Sequence, residues 1–125
     1  MKRDIITLCG STRFRKEFQE VERALTLEGK IPLPPAIYGK AEGITHSTEM
    51  AEQLFALHLD KIAISDGIFV IDPQGYLGES TSKEIAFAKQ NGKYVRYYSE
   101  EFKAIKEKNE RISALKEEPE ASPTD

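Results

Sequence analysis

Gly67-Ile68-Phe69-Val70-Ile71 decides how the rest of this chain must be arranged. Four consecutive large apolar residues leave neither face of an extended strand suited to water, so the strand is covered on both sides and belongs at the centre of a sheet. Toward the N-terminus, Met50, Leu54, Leu57, His58, Lys61 and Ile62 recur at helical spacing behind Ser47, a capping residue, and this helix is expected to end near Ser65-Asp66. Toward the C-terminus, Asp72 and the glycine-and-hydroxyl stretch Gly75-Tyr76-Leu77-Gly78-Glu79-Ser80-Thr81-Ser82 lead into a helix through Ile85, Phe87 and Ala88 that stops at Asn91-Gly92. A strand over residues 94–98 and a Ser99-capped helix rich in Glu and Lys follow.

The first third of the chain repeats the scheme. Ile5-Ile6-Thr7-Leu8-Cys9 reads as a buried strand, and Phe14, Phe18, Val21 and Leu25 then mark a helix stopped by Gly29. Ile31-Pro32-Leu33 is a short strand whose proline lacks a ladder donor, which puts it near an edge, and Pro34-Pro35 closes it. Residues 36–47 have no period and are read either as a flap over the sheet end or as a plain connection. Strand-helix alternation with short connections and right-handed crossovers implies an α/β fold: a doubly wound, flavodoxin-like or Rossmann-like parallel sheet of four to five strands with helices on both faces.

The 125 residues, 39% hydrophobic and 31% charged, make one domain over 1–116 and a polar tail over 117–125 that is expected to be disordered. The apolar runs fall far short of the ~20 residues that a membrane helix needs, and the run after Met1-Lys2-Arg3-Asp4 is too short for a secretory signal. Cytoplasmic residence is the expectation. Cys9 is the single cysteine, so no disulfide, CxxC pair or cysteine-based zinc site is expected, and it reads as a small buried hydrophobe. A net charge of −3 argues against nucleic acid as partner and for a small ligand.

Ligands of doubly wound sheets bind beyond the carboxyl ends of the strands, and two loops fall there. In Gly10-Ser11-Thr12-Arg13, exposed helix N–H groups can hold a phosphate or ribose hydroxyl, or Ser11 or Thr12 can simply cap the helix. No GxxxxGK[ST] or GxGxxG sequence is present, so P-loop chemistry is unsupported. In the second loop, Thr81-x-x-Glu84 matches a capping box; the alternative is that Glu84 attacks an electrophilic sugar carbon or activates a water. His58 and Lys61 share a helix face from which Asp60 diverges, so His58 is the candidate to orient Glu84 or protonate a leaving base. A receiver domain is disfavoured, because Cys9-Gly10 stand where its acidic cluster belongs, although Asp72 ends the third strand.

LCGSTRF at residues 8–14, HLDKIAISDGIFVI at 58–71 and GYLGESTSKEIAFAKQNGK at 75–93 together resemble the nucleoside 2-deoxyribosyltransferase superfamily, in particular its small bacterial and phage members related to deoxynucleoside 5'-monophosphate N-glycosidases. The resemblance implies that Glu84 is the nucleophile forming a covalent deoxyribosyl-enzyme and that the GST run contacts a 5' phosphate. Gly75, Gly78, Ser80, Ser82 and Asp72 would complete a sugar site, with neither metal nor organic cofactor. It also implies a homodimer whose sites draw on both chains. One position departs from the family pattern: eight residues before Asp66 the family has a catalytic aspartate, and this chain has His58. The reading is cleavage or transfer at the N-glycosidic bond of a nucleoside or its 5'-monophosphate; the competing reading is a module that binds a nucleotide without cleaving it.

Overall fold

In the computed structural model, which describes residues 2–115, strands and helices alternate: β1 (Ile5–Gly10), α1 (Arg15–Leu27), β2 (Ile31–Leu33), α2 (Thr48–Ile64), β3 (Gly67–Ile71), α3 (Glu79–Gln90), β4 (Tyr94–Tyr97) and α4 (Tyr98–Ala114). Short 3-10 turns at Thr12–Phe14 and Pro73–Gly75 follow β1 and β3. The tail over 117–125, expected to be disordered, lies outside the described residues.

Among the described residues the strands form one four-stranded sheet, all parallel, in the order β2-β1-β3-β4. The fully buried β3 is an interior strand and the proline-bearing β2 is an edge, as their sequences require. After β2 the chain crosses back over β1 to lay down β3, so strand order reverses between β1 and β3 and the sheet is doubly wound. Residues that alternate along each strand sort the core into two layers. Ile6, Leu8, Phe69 and Ile71 pack with Phe18, Val21 and Leu25 of α1 and with Tyr98 and Ile105 of α4. Cys9, Ile68 and Val70 face the opposite way, toward Ile62 of α2 and Ile85 and Ala88 of α3. The second layer contains the site.

Capping departs from the sequence reading at three of the helices. Ser47 caps α2 as expected, its Oγ accepting from the Met50 N–H at 3.1 Å. Ser99 does not cap α4, which starts one residue earlier. Instead the Ser99 N–H and Oγ–H donate to the two carboxylate oxygens of Asp72 at 2.9 and 2.8 Å. The cap comes from the end of β3 rather than from the local sequence, and for that reason short-range pattern does not reveal it. Neither Ser11 nor Thr12 makes a side-chain cap bond at the start of the α1 region, and α3 starts at Glu79, with Gly78 as its flanking residue. Ser80, Thr81 and Ser82 therefore belong to the first turns of a helix, not to a loop. No helix of the described residues is long and apolar enough to cross a membrane.

Candidate active site

Glu84 stands at a core position of its helix. Thr81, Glu84, Ile85 and Ala88 are the buried residues of α3, at the i, i+3, i+4, i+7 spacing of the stripe that meets the sheet. A carboxylate on such a stripe loses water with little in return, so an apolar residue would serve packing better. The capping-box reading fails on position: Gly78 flanks the helix, and Glu84 lies more than a turn inside it. The residue is 7% exposed, with Oε1 3.7 Å from His58 Nε2.

His58 reaches this point from α2 because it lies between half-buried Leu54 and buried Ile62 on one helical face, while Asp60 is exposed. The third member is Cys9, the last side chain of β1 before Gly10, directed by strand alternation to the α2 and α3 side. Its Sγ is 3.3 Å from His58 Nε2 and lies within 4.8 Å of a Glu84 carboxylate oxygen. Sequence reasoning recognised that Cys9 is buried but not that it belongs to the site. The available signal was its parity with Thr7 and its opposition to Ile6 and Leu8.

Burial governs the protonation of this trio. It pushes the Glu84 carboxyl up to about 7, against a smaller opposing pull from the neighbouring Cys9 thiol. It pushes the His58 imidazole down to about 4, helped by the positive charge of Lys61. The Cys9 thiol rises well above its ordinary range through burial and then through Glu84. Near neutrality His58 is uncharged, so the 3.7 Å contact joins a carboxyl group to a neutral imidazole and is not an ion pair. That protonation state suits His58 to orienting Glu84 more than to supplying a proton. Three titratable groups held away from their ordinary values in one buried cluster are the pattern expected of a reactive site.

The other residues singled out by sequence divide among three places. Gly10 and Asp72 are used by the fold. A Cβ on Gly10 would lie 2.8 Å from the Ile71 carbonyl oxygen, so the close approach of β1 and β3 requires its glycine, and Asp72 is occupied with Ser99. Arg13 does not turn toward Glu84; its guanidinium stacks on the Tyr76 ring at 4.2 Å and touches Phe14. With Glu17 and the Pro73–Gly75 turn, where Gly75 takes a φ of +81°, these residues line an open depression beside the strand ends. Phe14, Gln74 and Tyr76 were not recognised from sequence. Thr12 Oγ1 accepts from the Lys40 N–H at 3.1 Å and so ties residues 36–47 to the first loop. That segment is also anchored by buried Tyr38, edge-on to Phe18, and by internal bonds from the Tyr38 N–H to Glu42 and from the Ile44 N–H to Gly39. Ser11 Oγ is buried without a hydrogen-bond partner among the described residues, an unused donor and acceptor at the end of β1. Ser82 Oγ bonds back to the Gly78 carbonyl at 3.1 Å, and Ser80 is exposed. No family model matches this chain, and no curated protein does.

Proposed function

We propose that the protein acts on the N-glycosidic bond of a nucleoside or nucleoside 5'-monophosphate, with Glu84 as nucleophile. The observation that carries this reading is the burial of Glu84 beside His58 on a helix face that packing alone would make apolar. A Glu84 oxygen attacks C1' of the sugar; the electron pair of the C1'–N bond leaves with the base, which takes a proton from solvent. Water, or a second base, then displaces the carboxylate from C1' and restores the enzyme. Ser11 and the N–H groups at the start of α3 are the donors available to the sugar and its 5' end. Arg13 with Tyr76 offers a stacking surface at the mouth.

Incubating the protein with a panel of nucleosides and their 5'-monophosphates, with and without an acceptor base, tests this reading by chromatography of free base. Release without acceptor marks a hydrolase, and dependence on acceptor marks a transferase. If nothing is released while a nucleotide binds, the module that binds without cleaving is correct. That second reading has one observation in its favour: at 7% exposure, Glu84 offers little surface to a sugar.

A second copy of the chain is the partner we assign. Met50, Leu57 and Ile64 on α2 are 45%, 55% and 68% exposed at seven-residue spacing, an apolar stripe that a single chain leaves in water. Sedimentation velocity is expected to show a dimer that Leu57→Glu converts to monomer. A native monomer at tens of micromolar rules the assignment out.

A further inference from the structure

The chemistry that converges on His58 Nε2 has a use that glycosidic cleavage does not require. Cys9 Sγ, His58 Nε2 and a Glu84 oxygen come from β1, α2 and α3, and all lie within 4.8 Å of one another. We propose that these three side chains form a binding site for a divalent transition-metal ion of the Zn2+ class, with one coordination position left open.

Two geometric facts support a metal over a hydrogen-bond relay. In a Cys-His-Glu relay the thiol and the carboxylate engage opposite ring nitrogens, so that one orients the imidazole for the other. Here both approach the same atom: Nε2 is 3.3 Å from Cys9 Sγ and 3.7 Å from Glu84 Oε1. Three ligand atoms around one point are the arrangement of a coordination sphere. The spacing agrees as well. Zn–S and Zn–N bonds of about 2.3 and 2.0–2.1 Å at tetrahedral angles separate sulfur from nitrogen by roughly 3.5 Å and nitrogen from a carboxylate oxygen by roughly 3.3 Å. The observed contacts differ from these by a few tenths of an ångström.

The donor set selects the class of ion. A thiolate and an imidazole suit Zn2+ and its neighbours and are poor partners for Mg2+ or Ca2+, which take oxygen ligands. On binding, the thiol proton is released to solvent, as is the carboxyl proton where Glu84 still carries one, and the ion takes both lone pairs together with that of Nε2. The inference does not rest on the glycosidic reading. The two share one carboxylate, so a metal-loaded chain has no free nucleophile at Glu84.

The test uses the full chain, stripped with chelator and titrated with Co2+ in the absence of any nucleoside, so its failure is distinct from a failure of the glycosidic reading. One equivalent of Co2+ is expected to give a near-ultraviolet sulfur-to-metal charge-transfer band with intense visible bands of tetrahedral Co2+, both displaced by one equivalent of Zn2+. Cys9→Ser is expected to remove the charge-transfer band. His58→Gln and Glu84→Gln are expected to weaken Co2+ binding at least 10-fold, and His46→Gln, which changes the other histidine, to leave it unchanged. Circular dichroism of each metal-free variant establishes that it folds, and the three ligand variants report independently should one of them fail to. Absence of a stoichiometric site, retention of the band in Cys9→Ser, or loss of binding in His46→Gln instead of His58→Gln overturns the proposal.

Discussion

Replacing Glu84 with Gln is expected to lower base release by at least about 10^3-fold while leaving the chain folded, because an amide of the same shape cannot supply the oxygen nucleophile that must bond to C1'. The substitution is close to isosteric. The carboxyl is already protonated over much of the acidic range, so the site accommodates an uncharged group in this position. Initial rates of free base from the best substrate of the panel, with affinity for that substrate measured in parallel, separate the roles. A nucleophile lost from the site lowers turnover and leaves affinity within a few-fold of native. A Glu84→Gln rate within tenfold of native would mean that another group makes the bond to the sugar or that water attacks directly. His58→Gln is a useful contrast: a group that orients Glu84 through a 3.7 Å contact is expected to cost less than the nucleophile itself.

How far this site was readable from sequence depended on the range of each interaction. The interior place of β3 and the edge place of β2 followed from an apolar run and one proline, because burial on two faces is written locally in Gly67–Ile71 and edge position in Pro32. Helical faces were equally local, and the His58 and Lys61 face, with Asp60 turned away, emerged as the spacing required. Capping was not. Thr81-x-x-Glu84 fits a box, yet α3 starts at Glu79, so the same residues lie inside the helix and Glu84 is free to face β1. Ser99 has the residue type of a cap, but the acceptor at that helix start is Asp72, distant in sequence. The membership of Cys9 depended on three elements meeting, which no single window of sequence contains. Arg13 shows the converse. Its charge beside a glycine-hydroxyl loop suggests an anion, and only the placement of Tyr76 across the strand ends reveals that it stacks on an aromatic ring.

Stability against pH should separate the two halves of the Glu84–His58 pair, and the signs are opposite. The Glu84 carboxyl titrates at about 7 in the folded chain and near 4.5 when unfolded, so between these values the folded state holds the extra proton and stability falls as pH rises. The His58 imidazole titrates at about 4 folded and near 6.5 unfolded. There the unfolded state holds the extra proton, and stability rises with pH across that window. From pH 4.5 to 6.5 the slopes oppose each other, and the native chain shows little net contribution from the pair. Substitution exposes each one. Relative to native, Glu84→Gln is expected to gain stability as pH rises from 4.5 to 7, reaching on the order of 2–3 kcal/mol at pH 8 because no buried carboxylate has to ionise. His58→Gln is expected to lose, relative to native, the rise between pH 4 and 6.5 and so to show the Glu84 decline alone. Urea unfolding of the three proteins at pH 5 and pH 8 measures both differences. A Glu84→Gln chain no more stable than native at pH 8 would mean that the carboxylate is held by favourable bonds rather than against its own solvation. A helix cap predicts a loss of about 1 kcal/mol on removal and no effect on turnover. Lost base release together with gained stability at pH 8 is the opposite combination, the mark of a group retained for chemistry at the expense of the fold.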